Sequence, residues 1–116
     1  DKQKNRTFKI LKKQIENVLI KKFNHKDIIV AYEPIWSIGT GKIPETKDLL
    51  KTTIFIKKVL KNIFKTPNSP PVLYGGSVDA ENIRQFKNLN EIDGFLIGGA
   101  SKSDKKFIDI IKNYYR

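Results

Sequence analysis

The sequence predicts an α/β domain with parallel strands and crossover helices. Three short apolar runs of strand length alternate with four segments whose apolar residues recur at three- and four-residue steps. Each short run is followed at once by small or functional residues: Glu33 after the first, Gly75, Gly76 and Ser77 after the second, Gly98 and Gly99 after the third. Strands that all end in such residues present them along one edge of a parallel sheet, where ligands of α/β proteins gather.

From Thr7 to Lys22, the residues Phe8, Leu11, Ile15, Val18 and Leu19 fall on one helical face. Asn24 to Asp27 breaks the pattern, and the continuous run Ile28 to Tyr32 suits a strand buried on both faces. After a glycine-containing loop, Leu49, Thr53, Ile56, Leu60 and Ile63 mark a long helix, which must end before Thr66 and Pro67 because proline disfavours helix there. Val72 to Tyr74 is the second strand, and Asp79 is placed to cap a short helix carrying Ile83 and Phe86 on its inner side. Gly94 to Ile97 is the third strand, and Phe107, Ile108, Ile111 and Tyr114 give the last helix its apolar face. The connections suit right-handed crossover units of roughly 30 residues each.

Composition narrows the function. The 116 residues, 39% of them hydrophobic, fit one ordinary domain, and no apolar stretch approaches the roughly 20 residues of a membrane-spanning helix. The sequence opens Asp1, Lys2, Gln3, Lys4, Asn5, Arg6, without the pattern of an export signal, so a cytoplasmic protein is expected. The absence of cysteine excludes disulfides, thiolate chemistry and cysteine-ligated zinc. Neither a metal nor a cofactor is expected. The net charge of +11 invites a nucleic-acid reading, but the basic residues are lysines except for Arg6, Arg84 and Arg116, and they scatter over helix faces. Planar arginines interleaved with exposed aromatics would be the stronger sign. The lysines are read as solvated surface, with neither a nucleic acid nor a membrane as partner.

Glycine pairs after the second and third strands point to a phosphorylated ligand, because backbone amides without a Cβ in the way can approach phosphate oxygens closely. In a (β/α)8 barrel, the loops after the last two strands commonly hold a phosphate. Two ordinary tight turns are the plainer reading of the same glycines.

The segment Ala31-Tyr32-Glu33-Pro34-Ile35-Trp36-Ser37-Ile38-Gly39-Thr40-Gly41-Lys42 resembles the signature of the triosephosphate isomerase family over all twelve positions. The resemblance continues through Tyr74-Gly75-Gly76-Ser77-Val78 and Asp93 to Ser101, at the spacing of that family's sixth, seventh and eighth strands. It implies that residues 1–116 form a single, incomplete domain, the C-terminal part of a TIM (β/α)8 barrel. By the same resemblance Glu33 matches the general base that moves a proton between adjacent carbons of dihydroxyacetone phosphate and glyceraldehyde 3-phosphate, as in the family's established mechanism. Such a base needs a dry site that raises its basicity. Gly39, Ser77, Gly98 and Gly99 match the phosphate contacts. Pro34, Ile35, Trp36, Ser37, Ile38, Thr40, Gly41 and Lys42 match the lid, with hinges at Pro34 to Trp36 and Lys42 to Pro44, and Tyr74 and Ser77 match residues that hold it closed. Trp36 and Tyr74 could equally be core aromatics. The partners implied are a triose phosphate and a second subunit of a homodimer.

A barrel of about 250 residues needs eight strands, and this sequence supplies three. The family's asparagine and lysine after the first strand, its histidine after the fourth and its intersubunit loop have no counterpart here. His25, the one histidine, precedes a five-residue strand and so lies about 16 Å from Glu33, as an exposed loop residue at the opposite end. Lys42 is a hinge residue and cannot replace the missing lysine. Two other readings stay open: a different phosphate-binding barrel enzyme, against which the lid sequence argues, and a non-catalytic or split half-barrel that binds a partner chain.

Overall fold

The computed structural model describes residues 2–18, 23–37 and 39–115. Leu19, assigned by the sequence to the first helix, and Ile38 of the lid lie outside them, as do Ile20, Lys21 and Lys22. The elements follow the order α1 (Lys2–Val18), β1 (Val30–Tyr32), α2 (Thr46–Phe64), β2 (Val72–Gly76), α3 (Ile83–Phe86), β3 (Gly94–Ile97) and α4 (Asp104–Tyr114). The three strands form one parallel sheet in the order β1-β2-β3.

Helices pack on one face of this sheet. Val72 of β2 meets Ile56 and Leu60 of α2, with Val30 and Tyr32 of β1 and Leu11 and Ile15 of α1 packed around them. The stack of Phe8 on Phe55, rings 4.4 Å apart and nearly parallel, locks α1 onto α2. Further along β2 on the same face, Tyr74 joins Leu49, Val78, Ile83, Phe86 and Ile110, with Phe95 and Ile97 of β3 at the margin. The helix α2 stops where expected, at Lys65, whose φ of 50° and ψ of 50° place it in the left-handed cap conformation. Asp79 caps as expected, its Oδ1 accepting from the amides of Glu81 and Asn82, but the turn it opens becomes regular helix only at Ile83.

The opposite face is open, as expected of three strands taken from a barrel, so β1 is buried on one face and not on both. Ile29 is 67% exposed and Ala31 is exposed, while Val30 and Tyr32 are half-buried, so burial alternates along the strand. Leu96 of β3, 46% exposed, lies on the same uncovered side. The five-residue strand shortens to Val30–Tyr32 because pairing with β2 begins only at Val30 opposite Val72. The second strand is longer than expected, with Gly75 and Gly76 inside it, paired with Leu96 and Ile97.

At the end of the sheet where the strands begin, Lys57 of α2 reaches a carboxylate pair. Its Nζ lies 3.1 Å from Asp93 Oδ2 and 3.4 Å from Glu91 Oε2, with the lysine side chain 14% exposed. Asp93 Oδ2 also accepts from the Val72 amide at 2.8 Å, so the entry to β3 is fixed to β2 and α2 together. His25 sits at this same end, in the turn His25–Asp27 before β1. It is half-buried, its ring 6.3 Å from that of Phe64, and not the exposed loop residue expected, because the start of β1 runs beside the end of α2.

A sheet with two unpaired edges and an uncovered apolar face associates with other surfaces. The 116-residue chain by itself is therefore expected to elute as aggregate and to give poorly dispersed amide resonances; a sharp, dispersed spectrum from a monomer would contradict this.

Candidate functional site

Parallel pairing sets the site. β1 and β2 align Tyr32 with Tyr74, so the next residues along the open face, Glu33 and Gly75, come side by side. The Glu33 side chain leans over Gly75 so closely that a Cβ there would lie 2.6 Å from Glu33 Cγ and 3.2 Å from Oε1. A side chain at this position would displace Glu33. At Gly76 a Cβ would collide with the Tyr74 hydroxyl and come within 2.7 Å of Ser37 Oγ. Packing among the described residues thus accounts for the first glycine pair.

Pro34 and Ser37 are buried, whereas Ile35 is 87% and Trp36 51% exposed. Trp36 is accordingly not a core aromatic. Tyr74 is, at 1% exposed. The chain from Pro34 turns through a short helix, Ile35–Ser37, closed by the Ser37 amide donating to Pro34 O. Its tip is folded on itself: Thr40 Oγ1 donates to Trp36 O and accepts from the Lys42 amide, and Gly39 and Gly41 take φ values of 66° and 76° that other residues adopt rarely. The second hinge returns through buried Pro44 to the start of α2.

The segment matched to the lid is bonded to the loop after β2. Ser77 Oγ donates to Ser37 O at 2.6 Å and accepts from the Gly41 amide at 2.9 Å, while Ser37 Oγ contacts Lys42 O and Tyr74 Oη. Of the residues the sequence singled out, Ser37, Thr40, Gly41, Lys42, Tyr74 and Ser77 form one hydrogen-bonded unit, with Glu33 beside it across Gly75. Gly98 and Gly99 stand apart from this unit, at the end of β3, where Gly98 O accepts from the amide and hydroxyl of Ser101. A Cβ at either would meet nothing within 4 Å, so packing among the described residues does not call for glycine there. Glu33 itself is exposed, so the dry surroundings expected for it are not formed by these residues.

Asn82 escaped the sequence reading. Buried at 7% exposed, it donates to Ser77 O and accepts from the Asp79 amide, holding the loop that carries Ser77 in shape. The spacing Asp79-x-x-Asn82, with the aspartate bonding back to the Asn82 amide, was the available signal.

Burial raises the pKa of Tyr32 above 10.0, aided by the neighbouring Tyr74, and burial raises that of Tyr74, partly offset by its bond to Ser37. Both folded values exceed the unfolded one, so the protonated forms stabilise the fold fully below pH 10, and this contribution is lost as pH rises through the raised values.

Three β/α units with a carboxylate and glycine loops at the C-terminal edge of a parallel sheet define a segment of a (β/α)8 barrel. The family model described as triosephosphate isomerase matches residues 1–114. Triosephosphate isomerase from Thermodesulfovibrio yellowstonii is 40% identical over 113 residues, covering 97% of this chain and 46% of that protein, and the enzyme from Chlamydia abortus is 43% identical over 91 residues, covering 77% and 36%. The crystal structure of triosephosphate isomerase from Bartonella henselae superposes with a TM-score of 0.83 at 28% identity, over 99% of this chain and 46% of that one. The chain belongs to the triosephosphate isomerase family. It spans about half the length of the curated relatives it matches.

Two outcomes follow from this geometry. Gly75→Ala is expected to push the Glu33 carboxylate from its place, visible in a crystal structure of the variant; a shift of about 1 Å can cost a reacting group on the order of a hundredfold in rate. Tyrosinate absorbance should develop above pH 10 for two tyrosines, and Tyr74→Phe should remove one of them.

Proposed function

We propose that the full-length gene product interconverts dihydroxyacetone phosphate and glyceraldehyde 3-phosphate, with Glu33 as the base that takes a proton from one carbon and returns it to the next through an enediolate. The observation that carries this reading is the seat of Glu33 over Gly75, beside a lid bonded to the loop after the neighbouring strand. A lid closing there would exclude water from a carboxylate that is exposed in this chain alone. The Gly39 amide at the tip, Ser77, and the Gly98 and Gly99 amides would hold the phosphate. For Gly98 and Gly99 the support is that packing among the described residues does not explain the glycines, whereas an anion approaching the backbone would. Pro34 to Lys42 would move as the lid, with Tyr74 and Ser77 as its anchors.

The electrostatic partner of the enediolate must come from outside these residues. His25 lies at the far end of β1, and Lys42 gives its carbonyl to the hinge. Stabilising the developing charge usually contributes more to catalysis than any other single effect, so the 116-residue chain alone is expected to be inactive. The reading carries with it a cytoplasmic enzyme without metal or cofactor, working as a homodimer. A second reading, a half-barrel completed by a separate partner chain, is favoured by the groove of about 480 Å³ between α1 and β1, lined by Leu11, Ile15, Ile29 and Ala31 among others.

Glu33→Gln in the full-length product should cut turnover by orders of magnitude while leaving the affinity for inorganic phosphate nearly unchanged. Equal turnover in the variant would end the assignment of Glu33.

A further inference from the structure

Ser37 is 0% exposed although Ile35 and Trp36 just before it stand in solvent. A buried hydroxyl must be satisfied, and its one proton and two lone pairs can be followed. Ser37 Oγ lies 2.6 Å from Lys42 O, 2.8 Å from Tyr74 Oη and 3.4 Å from the Ser77 amide nitrogen. A carbonyl oxygen can only accept, so the serine proton goes to Lys42 O. The Tyr74 hydroxyl is then the donor to Ser37 Oγ, and the Ser77 amide donates to the remaining lone pair.

One side-chain oxygen, on the residue that follows the first hinge, therefore joins the second hinge, Tyr74 of β2 and the loop beyond it. The Ser37 carbonyl adds a further tie by accepting from Ser77 Oγ. Gly76 keeps the space free, since a Cβ there would strike both hydroxyls of the junction. Tyr74 is fixed in turn by its packing on Phe86, ring centroids 5.0 Å apart. A lid residue that bonds to so rigid a strand has its position set by the core.

We propose that Ser37 is a positioning residue for the lid: its hydroxyl couples both hinges to Tyr74 and holds the lid in the arrangement seen here, with the tip against Ser77. The inference rests on the isomerase reading for its effect on rate, and on the hydrogen bonds alone for its effect on the lid. Without the hydroxyl, Lys42 O and the Tyr74 hydroxyl lose their common partner. The tip can then swing from Ser77, and Glu33 loses its cover during the reaction.

The test compares Ser37→Ala, Tyr74→Phe, the double variant and Ser37→Thr in the full-length product, reading turnover and KM for dihydroxyacetone phosphate and the tryptophan emission that Trp36→Phe abolishes. Trp36, adjoining Ser37 and half in solvent, reports the hinge directly. Ser37→Ala should lower kcat about tenfold, as expected for the loss of two buried hydrogen bonds, and should change the Trp36 emission response to inorganic phosphate. The double variant should lose little beyond Ser37→Ala, because the tyrosine acts through the serine, and Ser37→Thr should recover most of the loss. Unchanged emission and kcat in Ser37→Ala, additive losses in the double variant, or equal losses in Ser37→Ala and Ser37→Thr would each overturn the inference. A wild-type product without isomerase activity would instead overturn the isomerase reading, and the emission comparison would still decide the role of Ser37.

Discussion

Everything at the functional edge depends on the register of β1 against β2. Pairing Tyr32 with Tyr74 puts two aromatic residues on the helix-covered face and, one step further, brings Glu33 onto Gly75 on the open face. A slip by one residue would turn each set to the other side of the sheet. The register is secured on the covered face, where Val30, Tyr32, Val72 and Tyr74 pack against α1, α2 and the Phe86 cluster. Apolar burial on one side thus fixes the position of a carboxylate on the other, and no interaction of Glu33 itself is needed to place its backbone.

Tyr74 connects this core to the lid. Its ring belongs to the cluster with Leu49, Phe86 and Ile110, and its hydroxyl reaches Ser37. The lid's own polar atoms are used internally, Thr40 on Trp36 and Lys42, so its tip is a preformed turn joined to the body through few bonds. Its internal bonds are thus distinct from those that join it to Tyr74 and Ser77.

Much of this was legible in the sequence. Four helical segments and three strands, their parallel order and the edge that carries Glu33, Ser77 and the glycines follow from periodicity and from what comes after each apolar run. The twelve residues from Ala31 to Lys42 carry the family resemblance, which the family model bears out. What could not be read were properties of juxtaposition. Gly75 looks like any loop glycine until the sheet register shows what leans on it. Ile28 to Tyr32 reads as buried on both faces because the run is continuous, yet the residues that would cover Ile29 and Ala31 are not among those described. The half-burial of His25 escapes a sequence reading because nothing local to it predicts the approach of Phe64, far along the chain in α2. Asn82 was overlooked because a single polar residue in a turn gives no period.

The ion-paired end of the sheet carries a different implication. Lys57, Glu91 and Asp93 tie α2 to the starts of β2 and β3, a full strand length from Glu33, Ser77 and Gly98. The contacts that hold the strand starts together thus involve different residues from those that place Glu33 and Ser77.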